Sequence, residues 1–158
     1  MRSFKSVGIT QAEATKQVQA VAAQPLPIGI ITPLEIGSNN EGLLAMSYDV
    51  GAQLKNNLRD LIMTNWGERL ALYDFGANLT PLTTEYELYG KDGFDNAAMQ
   101  RIMSAVAKFM PYVELENYDS QRTYSTELGM GNIVIVIDYN IPKANVQKAR
   151  LQISFAVT

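Results

Sequence analysis

The chain has 158 residues, enough for one domain with a proper core and too few for two comfortable ones. An apolar content of 47% with 18% charged residues excludes global disorder, and a net charge of −3 argues against the clustered positive surface that phosphate-backbone binding requires. Cysteine and histidine are both absent, which excludes disulfides, thiolate chemistry and the commonest general base and metal ligand near neutral pH.

Met1 to Lys5 is basic, but no apolar stretch follows it, so no secretory leader is expected. Thr10-Gln11-Ala12-Glu13 is a capping-box pattern. An Ala/Gln-rich helix is expected from there to about Ala23, with Ala14, Val18 and Val21 as a weak apolar stripe. Pro25, Pro27 and Pro33 then favour an extended path. Residues 1–38 read as an N-terminal arm, laid either on a partner or over the protein's own core, and residues 39–158 as the main domain.

A short strand is expected within Leu43 to Asp49, with Asp49 as the N-cap of a helix. Val50, Leu54, Leu58, Leu61 and Ile62 share one face of that helix, and Lys55, Asn56, Arg59 and Asp60 lie opposite. The helix is expected to stop around Thr64 to Gly67, where Gly67 offers the left-handed conformation that ends helices. A corner, GERLALYDFG, and a polar loop, TPLTTEYELYGKDG, follow. Asp92 or Asp95 is expected to cap a second helix, with Met99, Ile102, Met103, Val106, Phe109 and Met110 as its apolar face and Pro111 closing it.

The remainder reads as sheet. Tyr112 to about Tyr124 alternates in part, NIVIVIDYNI is apolar on both faces near its middle, and ARLQISFAVT alternates strictly, with turns at ELGMGN and PKAN. The expected architecture is α+β: two amphipathic helices packed on a C-terminal three-stranded antiparallel sheet, with Ile133 to Tyr139 in the central strand. The longest unbroken apolar run, Ile133 to Ile137, is far too short to span a bilayer.

Candidate chemistry is sparse. Glu68 and Arg69 read either as an acid with a charge partner or as polar contacts that fix a corner. Glu85 with Glu87, and Glu114 with Glu116, would each share one strand face, an arrangement that cannot flank a sugar ring from both sides. Gly129-Met130-Gly131 lies between strands, without the helix N-terminus that a phosphate cradle uses. No catalytic set, metal-ligand set or cofactor motif emerges. The chain's last strand is more informative, because Leu151 to Thr158 carries no charge, proline or glycine. Leu151, Ile153, Phe155 and Val157 can face the helices and leave Gln152, Ser154 and Thr158 outward. An edge strand without guards recruits any strand nearby, so either another segment of the chain covers it or a partner adds to it.

Thr64-x-x-Gly67-Glu68-Arg69, followed by Asp74-Phe75-Gly76-x-x-Leu79 and preceded by an amphipathic helix, resembles the baseplate wedge and sheath-initiator family of contractile phage tails. The resemblance runs through IMSAVAKFMPYVEL, NIVIVIDYNIP and KARLQISFAV, and covers roughly residues 45–157. It implies a non-enzymatic structural subunit, present in six copies, that joins the wedge to the first sheath ring and initiates the sheath. The implied pairing strand is Lys148, Ala149, Arg150, Leu151, Gln152, Ile153, Ser154, Phe155, Ala156 and Val157, and the implied corner is Gly67, Glu68, Arg69, Phe75 and Gly76. Implied partners are the tail sheath protein and baseplate wedge subunits, with the tail tube or hub as further neighbours, and neither nucleic acid, membrane nor cofactor. The implied location is the tail baseplate of a virion made in the host cytoplasm. Where the family has Glu-Pro-Arg, this chain keeps only Pro111, so an apolar docking contact through Met110, Pro111 and Tyr112 is expected instead. Loss of the residues from Leu151 onward is expected to leave a folded core unable to seed sheath. Two alternatives stay open. The family's lysozyme-like label implies a small peptidoglycan hydrolase, with Glu68 as the carboxylate to test. The other is the equivalent subunit of a type VI or other contractile injection system.

Overall fold

A computed structural model describes residues 15–16, 26–37, 42–84, 86–125 and 130–157. Thr15 and Lys16 are helical; the rest of the expected N-terminal helix lies outside the described residues. Strand β1 (Gly29–Ile30) pairs antiparallel with β2 (Met46–Ser47). The Ile28 N–H donates to the Ser47 carbonyl at 2.8 Å, and a bridge between Ile36 and Leu44 lengthens the ladder. These pairs join residues from the two sides of the expected boundary at residue 38. Leu26, Ile28, Leu34, Ile36 and Leu43 remain exposed on this hairpin.

Helix α1 (Val50–Met63) starts where the Asp49 carboxylate accepts the Ala52 N–H at 2.7 Å. Its 3.6-residue spacing buries Leu58, Leu61 and Ile62 completely, while Val50 stays exposed at its first turn. The helix stops at the start of the expected span, at Thr64 and not at Gly67. Thr64 is already extended, and both its N–H and its hydroxyl donate to the Asp60 carbonyl, at 3.1 and 2.6 Å. The terminator is therefore a threonine that returns to the last turn.

The expected polar loop is largely helical: α2 spans Thr80–Thr84 and α3 spans Tyr86–Phe109. Asp92 and Asp95 consequently lie inside α3 and cap nothing. Phe94 and Ala98 are buried there, and burial of such a face outweighs the poor helix propensity of Gly90, Asp92 and Gly93. Asp95 instead accepts a hydrogen bond from the Ser120 hydroxyl. Glu87 is helical, and Glu85 lies outside the described residues. Ile102, Val106 and Met110 enter the core as expected, but Met99 and Met103 lie outside it.

Strands β3 (Glu114–Ser125), β4 (Met130–Ile141) and β5 (Val146–Val157) form an antiparallel meander with β4 in the middle. A short 3-10 turn (Pro142–Ala144) and the left-handed Asn145, φ 55°, connect β4 to β5. The turn residues 126–129 lie outside the described residues. On β4, Ile133, Ile135, Ile137, Tyr139 and Ile141 alternate into the core with the helices. Ile135 sits between Ser120 and Ile153, and Ile137 between Tyr118 and Leu151. Val134 and Val136 point to the other face, between Gln121 and Ser154 and between Asp119 and Gln152, and stay half-buried. The fold is α+β with its helices on one sheet face. No helix among the described residues is long and apolar enough to cross a membrane.

This division of β4 into two faces predicts unequal costs for neighbouring truncations. Ile137→Ala, at a fully buried position, should lower stability by about 2–5 kcal/mol. Val136→Ala should cost no more than about 1 kcal/mol. Urea denaturation of the two variants measures the difference, and equal losses would mean that the sheet's second face is also covered.

Candidate functional site

The corner after α1 is a braced turn. Gly67 has φ +87°, with open space around its α-carbon, and its N–H donates to the Tyr73 carbonyl at 2.8 Å. Gly76 has φ +111°, and any Cβ there would lie 2.1 Å from the Thr64 carbonyl oxygen. That close approach lets the Ala77 N–H reach the Leu61 carbonyl at 3.1 Å and the Asn78 N–H reach that of Thr64 at 3.2 Å. The Trp66 indole N–H donates to the Gly76 carbonyl at 3.0 Å. Arg69 stacks 4.2 Å over the Phe75 ring, which meets Phe109 edge to face at 5.0 Å. Glu68 accepts the Asn65 side-chain amide at 2.8 Å and the Asn65 backbone N–H at 2.7 Å. Those bonds, the side-chain one foremost, hold its carboxyl below the usual carboxylate range at an exposed position. Glu68 and Arg69 thus engage different neighbours and do not form a pair.

At the end of α3, Met110 is only 5% exposed and belongs to the core, so its side chain offers no surface. Tyr112 is half-buried against the same core, and Pro111 alone is exposed. Pro111 closes an apolar groove of about 540 Å³ between α3 and β3, whose lining includes Met99, Met103, Val106 and Leu115. Met103 is 58% exposed. Beside this groove, burial first and then the Asp95 carboxylate raise the Tyr118 phenol above its ordinary range.

The two sheet edges differ. β3 carries a bulge between Leu115 and Asn117 and the charges of Glu114, Glu116, Asp119 and Arg122. Both devices discourage a further strand. β5 begins irregularly: its ladder with β4 shifts between Tyr139 and Ile141, Lys148 has φ +50°, and the Lys148 N–H donates to the Asn140 side chain at 2.6 Å. Pairing is continuous from Ala149 through Val157, so Lys148 belongs to the bulge and Ala149 starts the regular edge. Arg150 is the single charge on that run, bound to Asp138 at 2.7 and 3.2 Å. Leu151 and Ile153 are buried and Phe155 is half-buried, while Gln152, Ser154 and Ala156 are exposed. Because two of its residues are core, removal of the chain from Leu151 would open the hydrophobic centre, contrary to the expected intact remnant. Among the described residues no strand pairs with the outer side of β5.

A cleft of about 830 Å³ separates β5 from the β1–β2 hairpin. It is lined by Arg150, Leu151 and Gln152 in succession and by no residue of β4. Successive residues of a strand point to opposite faces, so a cavity that meets all three reaches β5 from its side. Thr32 and Ser47 of the hairpin region stand across it, and Lys55, Asn56 and Arg59 from the polar side of α1 line it as well. Sequence reading leaves these three as a solvated helix face; only the tertiary fold brings them beside the open edge. Among the described residues, no three His, Cys, Asp or Glu side chains are grouped as a metal ion would need.

No family model matches the chain, and no curated protein matches its sequence. Its fold is shared with a chain of the anti-feeding prophage baseplate, reconstructed with six-fold symmetry, at a TM-score of 0.50 and 14% identity over 80% of this chain and 81% of that one. A candidate tail lysozyme from Geobacter sulfurreducens aligns at a TM-score of 0.44 and 16% identity, over 66% of this chain and 86% of that one.

The two glycines of the corner should respond differently to the same change. Gly67→Ala meets only the left-handed backbone and should cost about 1–2 kcal/mol. Gly76→Ala adds a collision with backbone and should cost at least about 3 kcal/mol or prevent folding. Thermal melts rank the pair, and a Gly76→Ala chain as stable as Gly67→Ala would contradict the close packing of Thr64 on Gly76.

Proposed function

We propose that this chain is a structural subunit of a contractile-tail or injection-machine baseplate that joins the wedge to the first sheath ring. In this reading it starts sheath assembly by pairing β5 with an extended arm of the sheath protein. The observation that carries the reading is the contrast between a guarded β3 edge and a regular, almost uncharged β5 edge from Ala149 to Val157. Strand addition there supplies affinity through main-chain hydrogen bonds and specificity through alternate side chains. The fold shared with a chain of the anti-feeding prophage baseplate supports the same setting, as does the six-fold symmetry of that assembly for six copies in this one. With Met110 in the core, Pro111 and the groove it closes become the surface for wedge subunits, with exposed Met99 and Met103 as adaptable apolar contacts. The location in this reading is the tail baseplate, with the tube or hub as further neighbours.

Catalysis is not part of the proposal. A general acid for glycoside hydrolysis needs a raised pKa and a second carboxylate across a cleft. Glu68 is exposed and shifted the other way.

Amide hydrogen exchange on the 158-residue chain, with and without a contractile-tail sheath protein from the same genome, tests the strand mechanism. Alternate amides between Ala149 and Val157 should become protected, because successive N–H groups of an edge strand face alternately inward and outward. Unchanged exchange in a complex that still forms would overturn β5 as the docking strand. For the hydrolase, the expected result is no lysis of cell-wall substrate by either the native chain or Glu68→Gln. Lysis by the native chain that Glu68→Gln abolishes would establish an enzyme.

A further inference from the structure

The cleft between the hairpin and β5 carries a charge pattern that the sheet edge alone does not explain. Lys55 and Arg59 are four positions apart on α1 and both line the cleft. Neither has an acidic partner within ion-pair distance among the described residues; Arg59 Nε donates only to the Met63 sulfur at 3.4 Å. Arg150 stands on the facing strand, with its charge already matched by Asp138. The one carboxylate among the described residues of the lining, Asp49, is engaged as the cap of α1. Two unmatched cations in a chain of net charge −3 are thus collected beside the strand edge. The Thr32 hydroxyl, on the opposite wall, is buried without a hydrogen-bond partner.

We infer that the cleft is a slot for an extended, acidic segment of a partner. The segment's backbone pairs with β5 and its carboxylates meet Lys55 and Arg59. The inference rests on the reading of β5 as a strand acceptor and adds the chemistry of what it accepts. An open edge by itself is indifferent to sequence, because any backbone supplies the same donors and acceptors. Cations beside the edge select among strands and steer the acidic one toward the slot. Since the side chains of a strand alternate in direction, acidic residues at every second position place their charges on one side.

Two synthetic peptides of about ten residues test this on the 158-residue chain, one alternating Val and Thr with Glu, the other identical with Lys in place of Glu. Amide exchange reports strand pairing and fluorescence anisotropy reports affinity. The Glu peptide should protect β5 amides and bind about tenfold more tightly than the Lys peptide, with the advantage shrinking as salt rises. Lys55→Gln/Arg59→Gln should abolish the preference, and Lys55→Glu/Arg59→Glu should reverse it. The neutral pair keeps the test interpretable if the reversal variant folds poorly. Equal protection of β5 by both peptides in every variant would overturn the acidic selectivity while leaving β5 a strand acceptor. Failure of both peptides to protect β5 would overturn the slot and the acceptor reading together.

Discussion

Every backbone N–H and C=O of a strand requires a partner, and among the described residues β5 has a neighbouring strand on one side only. β4 is satisfied on both sides, by β3 and by β5, and its alternating isoleucines anchor the sheet against the helices. β5 contributes Leu151 and Ile153 to the same core, so its position is fixed by packing while, among the described residues, its outer hydrogen-bonding groups remain without a strand. Such a strand cannot relieve its open edge by moving away. The remaining outlets are water or another backbone. Solvent suffices for a soluble monomer, but an edge with so little charge is a poor barrier to association. The contrast with β3, which has a bulge and several charges, places the asymmetry in the sequence of each strand and not in the meander as such.

The sheet was legible because period-two burial leaves an unambiguous trace. Ile133, Ile135 and Ile137 with Leu151 and Ile153 announce which side faces inward, and Asp49 marks the start of α1 by a single side-chain bond. The start of α3 was hidden for the opposite reason. Gly90, Asp92 and Gly93 all disfavour helix, and the contacts that override them come from partners distant in sequence, such as Ser120 on Asp95. The end of α1 falls at the start of the expected span from Thr64 to Gly67, but the residue that closes it is the threonine and not the glycine with a positive φ. Gly67 does adopt that conformation, but in the corner, after Thr64 has already closed the helix.

The candidate site shows a similar split. A strand edge follows directly from composition, so the plain run after Arg150 stood out in the sequence, and the structure adds the bulge at Lys148 that trims it. Met110 illustrates the limit of reading a motif position as a surface. It lies on the buried side of α3, so a methionine there is a core residue whatever its neighbours contact. Pro111, next in sequence, is exposed because the chain must leave the helix at that point. The cleft could not be foreseen, since Thr32, Lys55 and Arg150 meet only after the hairpin, helix and sheet have packed.

Corner and cleft are mechanically one system, because α1 serves both. Its C-terminal end is clamped where Leu61 and Thr64 carbonyls accept Ala77 and Asn78, a contact that exists only because Gly76 has no side chain. Its first turns carry the cleft-lining Ala52 and Lys55, with Asp49 capping them. A helix is stiff over this length, so any rotation allowed at the corner is carried to the cleft wall, and with it the spacing between Lys55, Arg59 and the edge of β5. Strand addition tolerates little change in that spacing, since adjacent strands hydrogen-bond only when roughly 4.7–4.9 Å apart. In the proposed role, the cluster of Trp66, Glu68, Arg69 and Phe75 therefore serves assembly without touching a partner. It holds the end of the helix that sets one wall of the slot.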